Sequence, residues 1–406
     1  MSSALDMLKM NPNYDKKLRI AFIGARGLPH TYGGYEAVFL EMAPRLVARG
    51  HEVIVYNHKK LFRERPPFYR GVRLIYLPAI ETKNLGTPTH TLMCAFDVLF
   101  RSVDVIFCVN VANAMHMILP RLFGKPVACN VDGLEWLRGK WGRLARNYFY
   151  LNARLVGRIC QRGVITDAEE MRRIYREQFH TRSVFIANGA NVESSVNSDV
   201  VRRYGLTPGE YYLIASRMIP ENNADLIISA FNRLQTNKVL AIAGSANYRS
   251  EFVTKLQNIA GPRVKFLGHV GNSEHVKELH CNCYAYVHGH MLGGINPALL
   301  KALGCGNMVL ALNTPFNREV LLDHYGCFFE LDENNLLQKM QFIEDRPEIA
   351  AQYRVRAPQR IREAYTWDHI TDQYEELFLQ LAADEDPTRI HSTVLSEAQT
   401  PPLVRD

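Results

Sequence analysis

His288-Gly289-His290-Met291-Leu292-Gly293-Gly294-Ile295-Asn296-Pro297-Ala298-Leu299-Leu300-Lys301 joins a strand pattern to a helix pattern through a glycine loop, and that order sets the fold expected of this chain. The apolar run Cys283–Val287 ahead of it has the composition of a buried strand. A glycine pair follows, then Asn296 where a helix N-cap belongs, Pro297 at the first helical position, and an apolar helix start. A strand, a glycine loop and a helix in that order aim backbone N–H groups and the positive end of a helix dipole at one point, which suits a phosphate. A glycine turn between two core elements has the same local composition, so the choice depends on the rest of the chain.

Strand-like and helix-like runs alternate twice along the sequence. In the first half the runs Arg19–Gly24, Glu52–Asn57, Val72–Leu77, Asp104–Val109 and Val127–Val131 read as strands, and Tyr35–Arg49 and Thr89–Arg101 as helices. From Tyr211 the alternation restarts with Tyr211–Ser216, Val239–Gly244, Val264–Gly268, Cys283–Val287 and Met308–Leu312. This predicts an α/β chain of two Rossmann-like, doubly wound parallel-sheet domains facing each other across a cleft, with ligands beyond the carboxyl ends of the strands. The expected boundaries are a domain over 17–190, a second over 191–366, and a helix over 367–383 that returns to the first. The ends, 1–16 and 384–406, read as disordered.

Composition narrows the function classes. No apolar run approaches the ~18–20 residues of a spanning helix, and the N-terminus lacks the pattern of a signal peptide, so a cytoplasmic protein is expected. The eight cysteines are scattered; the only close pair, Cys281 and Cys283, matches neither a zinc nor a thioredoxin spacing, and buried reduced thiols are expected. The formal net charge of +7 is unevenly spread. Between Glu135 and Asp167 lie Arg138, Lys140, Arg143, Arg146, Arg154, Arg158 and Arg162 with no acid, interleaved with aromatic residues. Arg154, Arg158 and Arg162 share one helical stripe. That stripe is either a solvated face or a surface for an anionic membrane or a lipid-linked phosphate. Nucleic acid is not expected, since no binding motif accompanies the charge.

Two further loops suit a nucleoside diphosphate. The first strand runs into Ala25-Arg26-Gly27-Leu28-Pro29 and a delayed Gly33-Gly34 pair at the start of a helix. That order is not the G-x-G-x-x-G of a dehydrogenase, but it places naked backbone at a helix N-terminus. In the second half, Ser216-Arg217-Met218-Ile219-Pro220-Glu221-Asn222-Asn223 follows a strand. There the Arg217 guanidinium can clamp a diphosphate in bidentate fashion or pair with Glu221.

These strings carry a family resemblance over about residues 17–381. Ile23–Pro29 with Tyr32–Glu36, Asn130–Trp136, Arg217 with Pro220–Asn223, His288–His290 with Gly293-Gly294, Asn296-Pro297 and Phe316–Leu321 together resemble GT-B glycosyltransferases of family 4, most closely the bacterial polysaccharide subgroup that includes rhamnosyltransferases. The resemblance implies an acceptor-side N-terminal domain and a nucleotide-sugar C-terminal domain. It implies transfer of a sugar from a nucleoside-diphosphate donor to a glycan acceptor, lipid-linked, with retention and with neither metal nor cofactor. The protein would then work at the inner face of the plasma membrane in surface polysaccharide synthesis.

By the same resemblance Gly33 and Gly34 line the donor phosphates and Arg217 neutralises the leaving diphosphate. Gly293, Gly294 and the amides around Pro297, Ala298 and Leu299 complete the cradle, with His288, Asn222 and Asn296 beside it. Asp132 falls where many relatives carry a histidine that touches the transferred sugar. Lys301 is a departure: relatives place there a glutamate that accepts hydrogen bonds from the donor ribose, which a lysine cannot do. Asn222 replaces a common lysine partner of Arg217. The one Asp-x-Asp string, Asp384-Glu385-Asp386, lies in the acidic tail and reads as solvated charge rather than a metal site. The alternatives are a non-catalytic GT-B protein of a polysaccharide assembly complex and a GT-B sugar-nucleotide epimerase.

Overall fold

The computed structural model describes residues 16–29, 33–80, 82, 85–139, 141–244 and 251–387. The expected disorder at 1–16 and 384–406 falls almost wholly outside those residues. The chain divides into two units, Met1–Ala187 with Asp368–Asp406, and Asn188–Trp367.

The first unit carries β1 (Arg19–Ile23), α1 (Gly34–Ala48), β2 (Glu52–His58), β3 (Phe68–Tyr69), β4 (Val72–Leu77), α2 (Gly86–Asp97), β5 (Val105–Val109), α3 (Ile118–Leu122), β6 (Val127–Asn130), α4 (Arg143–Cys160), β7 (Val164–Thr166), α5 (Glu169–Phe179) and β8 (Val184–Phe185). Its eight strands lie in the order β3-β4-β2-β1-β5-β6-β7-β8, all parallel except the short edge strand β3. The chain leaves β1 in one direction and, after β4, crosses back to β5. Right-handed crossovers therefore put α1 on one face of the sheet and α2 to α5 on the other. Ile20 to Ile23 are wholly buried, as strands covered on both faces must be.

The second unit carries β9 (Tyr211–Ala215), α6 (Ala224–Arg233), β10 (Val239–Ala243), α7 (Glu251–Ile259), β11 (Val264–Gly268), α8 (Ser273–Cys281), β12 (Ala285–His288), α9 (Pro297–Gly304), β13 (Met308–Leu312), α10 (Pro315–Leu321), β14 (Cys327–Phe329), α11 (Glu333–Asp345) and α12 (Pro347–Ala364). Its six parallel strands run β11-β10-β9-β12-β13-β14, the doubly wound order with its switch point between β9 and β12. The apolar seams of α6 and α11 close one face of that sheet through Ile227, Phe231, Leu336 and Met340, all fully buried.

The last helix, α13 (Trp367–Ala382), packs on the first unit on the α1 side. Its Tyr374 ring stands edge-on to Phe107 of β5 at 5.1 Å, and Phe107 meets Phe22 of β1 at 5.1 Å. Glu375 is held by His51 at 2.7 Å and by Arg49 at 2.5 Å. All eight cysteines are free thiols, six of them buried.

Candidate active site

In the second unit the loops after β9 and β12 leave the two strands that flank the switch point. They are locked to each other by hydrogen bonds. The Met291 amide donates to the Glu221 carbonyl at 3.1 Å, and Asn223 Nδ2 donates to the Gly289 carbonyl at 2.8 Å. Gly289 is obligatory for this approach, because a Cβ there would lie 2.4 Å from the Asn222 carbonyl oxygen. Asn222 is buried and its Nδ2 donates to the Arg217 carbonyl at 2.8 Å, so it fixes the main chain that carries the exposed Arg217. Asn222 thus acts through Arg217 rather than beside it.

The glycine pair lies in the β12 loop. Gly293 takes a φ of 126°, a conformation open to glycine and strained for other residues. Asn296 caps α9 as its position predicts: its side chain accepts from the Ala298 amide at 2.9 Å, and its carbonyl accepts from Leu299 at 3.0 Å. Pro297 has no N–H. The first-turn amides at Ala298 and Leu299 are therefore committed to the cap. Among the described residues the amides of Gly293 and Gly294 have no such partner, so they are available to an anion.

His288 is completely buried, its ring stacked on His290 at 4.2 Å and 14°, with the Tyr286 hydroxyl 3.4 Å from its Nδ1. Burial, and then the neighbouring His290, hold His288 well below the usual histidine range, so it is neutral at pH 7. It supports the loop from beneath, while the more exposed His290 lies nearer the surface. The His290 carbonyl also accepts from Asn317 Nδ2 at 3.2 Å, which ties the loop to α10.

Lys301 falls in the last turn of α9, where a cation suits the helix dipole. Its ammonium pairs with Glu193 Oε2. Glu193 arrives on a segment pressed against the end of α9: its amide donates to the Gly304 carbonyl at 2.9 Å, and a Cβ on Gly304 would sit 2.1 Å from the Asn191 carbonyl oxygen. The lysine therefore holds the Glu193 carboxylate beside the last turn of α9. Glu193 was not identified from sequence, because its pairing spans 108 positions.

In the first unit, Gly33 is the N-cap of α1 and supplies no side-chain cap, which leaves the first amides without that competitor. Glu36 folds the loop before it inward by accepting from the Arg26 amide at 3.0 Å. Tyr35 follows the glycine pair, and its hydroxyl donates to the Asp132 carbonyl at 3.1 Å, which joins the α1 start to the loop after β6. Burial, then the Asp132 charge, push the Tyr35 phenol well above its usual range. Asn130 orients the same loop, its Oδ1 accepting from the Asp132 amide at 3.0 Å while its Nδ2 donates to Tyr374 of α13 at 3.0 Å. Gly33, Gly34 and Asp132 are thus brought to one end of one sheet; Tyr35 and Asn130, which do this, were missed.

The sequence matches two family models. Residues 203–360 match glycosyl transferases group 1, and residues 32–194 match glycosyltransferase family 4. The chain belongs to the family 4 glycosyltransferase superfamily. Arg217 and the α9 loop lie within the first match, and Gly33, Gly34, Asp132 and Glu193 within the second. No curated protein matches the sequence. Among solved structures the glycosyltransferase is similar to sucrose-phosphate synthase from Thermosynechococcus elongatus, with a TM-score of 0.75 at 16% identity over 91% of this chain and 100% of that one. It is similar to HepE of Anabaena in complex with UDP-glucose, with a TM-score of 0.70 at 16% identity over 88% and 98%. A glycosyltransferase from Rickettsia africae gives 0.69 at 14% identity over 90% and 99%. The fold is GT-B.

Proposed function

We propose that this glycosyltransferase moves a hexosyl or deoxyhexosyl group from a nucleoside-diphosphate sugar to a lipid-linked glycan in bacterial surface polysaccharide synthesis. Retention of configuration, a rhamnosyl donor and work at the inner face of the plasma membrane belong to the same reading. The observation that carries it is the pairing of the Arg217 loop with the Gly293-Gly294 loop across Gly289 at the switch point: one exposed guanidinium and two unengaged amides on adjoining loops. HepE, which has the same fold, binds UDP-glucose.

In the reaction the bond between the anomeric carbon and the β-phosphate oxygen breaks, and the diphosphate leaves with the electron pair. The acceptor hydroxyl oxygen bonds to the anomeric carbon, and its proton passes to the departing phosphate. Charge on the diphosphate peaks in the transition state, so Arg217 and the Gly293 and Gly294 amides act there most strongly. No metal or cofactor is assigned a part. Gly33 and Gly34 allow close approach to the phosphates, and Asp132 is assigned to the transferred sugar. Asn222, Asn296 and His288 are positioning residues. We assign the ribose hydroxyls to the carboxylate of Glu193, held in place by Lys301.

The test is a panel of nucleoside-diphosphate sugars incubated with the protein, with and without lipid-linked acceptor, and read by mass spectrometry. The proposal requires nucleotide release that depends on acceptor, together with a glycosylated lipid. Binding without turnover would instead mark a non-catalytic assembly protein, and an altered free sugar nucleotide would mark an epimerase.

A further inference from the structure

The first unit exposes an apolar surface that the arginine stripe alone did not reveal. On the α2 side of its sheet, Phe96 of α2 is 50% exposed and Phe100, in the 3-10 turn that continues α2, is 89% exposed. Leu122 and Phe123 at the end of α3 are 78% and 67% exposed, and Leu144 at the start of α4 is 87% exposed. These helices form one layer, since α2 packs against α3 and α3 against α4. Phe100 lies four positions beyond Phe96, on one side of the helix, and Leu151 follows Leu144 at a seven-residue interval, as Arg158 follows Leu151. The ends of α2 and α3 adjoin, because Lys125 Nζ donates to the Arg101 carbonyl at 2.8 Å, and Arg121 reaches Gln161 at the end of α4 at 2.8 Å; bare phenylalanine and leucine gathered there are costly in water and mark a contact surface.

Charge identifies what covers it. Across 86–101, 118–125 and 143–162 the only carboxylate is Asp97, which is spoken for by Arg101 and the Tyr56 hydroxyl. The same stretches hold Arg121, Arg143, Arg146, Arg154 and Arg158. The excess ends at α5, whose Arg172 and Arg173 pair with Glu169, Glu170 and Glu177 of their own helix. It also ends at Arg162, which lies beyond α4 and donates to the Asp384 carbonyl at 2.6 Å. Apolar tips set among unbalanced arginines complement a bilayer with an anionic surface, where hydrocarbon takes the rings and headgroups take the guanidinium groups.

We infer that the α2–α4 layer is a membrane-docking face that inserts Phe100, Leu122 and Phe123 into an anionic bilayer, with Arg154 and Arg158 on its headgroups. This deepens the proposal of a lipid-linked acceptor and rests on it only for the biological setting. Docking is measured without donor or acceptor, so its failure would leave the transfer proposal standing, and the converse also holds.

The test is cosedimentation of the full chain with vesicles of phosphatidylcholine, with and without 30 mol%, roughly, of phosphatidylglycerol. The face predicts binding to the anionic vesicles that weakens as salt rises. Arg154→Gln with Arg158→Gln should lower it by about 30-fold, near fivefold for each charge. Phe100→Ser with Phe123→Ser should lower it by at least about tenfold and leave the salt dependence in place. All four side chains point to solvent, so the variants should keep the parent's melting temperature; Val355→Ser, at an 81% exposed position of the second unit, is the control. The inference is overturned if the parent ignores anionic vesicles, or if both double variants bind as the parent does. It is equally overturned if Phe100→Ser with Phe123→Ser dissociates an oligomer while vesicle binding is unchanged, which would make the layer a protein interface.

Discussion

Adding one methyl group at Gly289 should damage both the second unit's stability and the chemistry. The Cβ of Gly289→Ala would stand 2.4 Å from the Asn222 carbonyl oxygen and 3.0 Å from Ile227 Cδ1, so the carbonyl must retreat by about 0.6 Å to reach even 3.0 Å. Gly289 does not take a positive φ, so the cost is steric and not conformational. Overpacking of this kind costs about 1–3 kcal/mol. Separating the loops also loosens the bonds from Met291 to Glu221 and from Asn223 to Gly289, at about 1 kcal/mol each. A total of roughly 3–5 kcal/mol lowers the melting temperature of a unit this size by about 6–20 °C. Asn222 is also the donor to the Arg217 carbonyl, so the displacement reaches the guanidinium. A misplacement near 1 Å can cost on the order of 100-fold in turnover. Thermal melts and acceptor-dependent turnover of Gly289→Ala measure the two effects. Gly271→Ala serves as control, since its Cβ would meet nothing closer than 3.6 Å. A Gly289→Ala protein that melts and turns over like the control would refute the coupling of the two loops.

Other changes probe other parts of the account. Lys301→Glu sets two carboxylates against each other on a partly exposed pair; losing the attraction and adding repulsion should cost about 1–2 kcal/mol in urea denaturation. Combining it with Glu193→Lys should restore stability but not nucleotide affinity, because the carboxylate has moved. Glu193→Gln should weaken nucleotide binding by one to two decades, at about 1.5–3 kcal/mol for a hydrogen bond to a charged group, and unchanged calorimetric affinity would remove Glu193 from the ribose. Glu375 responds to pH. Burial disfavours its charge, but hydrogen bonds from His51 and Arg49 outweigh that and hold it below the usual carboxylate range. Its stabilising contribution is therefore present above about pH 4.5 and lost as pH falls through the folded-state value. Glu375→Gln should melt lower at pH 7 and lose less than the parent on acidification; parallel curves for the two proteins would exclude this role.

The parts of the fold that could be read in the sequence were those set by burial on both faces. β9, β10 and β13 appear as short apolar runs because no solvent-facing residue interrupts them. β3, β7 and β8 span two or three residues and exist through their neighbours, so no local pattern announces them. The Thr89–Arg101 helix starts earlier, at Gly86, and tightens into a 3-10 turn over Val98–Phe100. At the site, Asn296 and Pro297 were legible as the cap of α9, and that same cap engages the Ala298 and Leu299 amides expected to hold phosphate. A helix start that is well capped offers fewer donors to a ligand, and the unengaged amides lie instead at Gly293 and Gly294. The contacts that orient the site were not legible, because Tyr35 meets Asp132 across 97 positions and Lys301 meets Glu193 across 108.

The role of Arg217 at the departing diphosphate is measured in Arg217→Ala as acceptor-dependent nucleotide release at saturating donor. The side chain is exposed at the end of β9 and is not part of the core, so the variant should fold and melt as the parent does. Loss of a group that acts on the departing diphosphate should lower turnover by on the order of 100- to 1,000-fold. A folded Arg217→Ala protein that transfers sugar at the parent's rate would contradict the account.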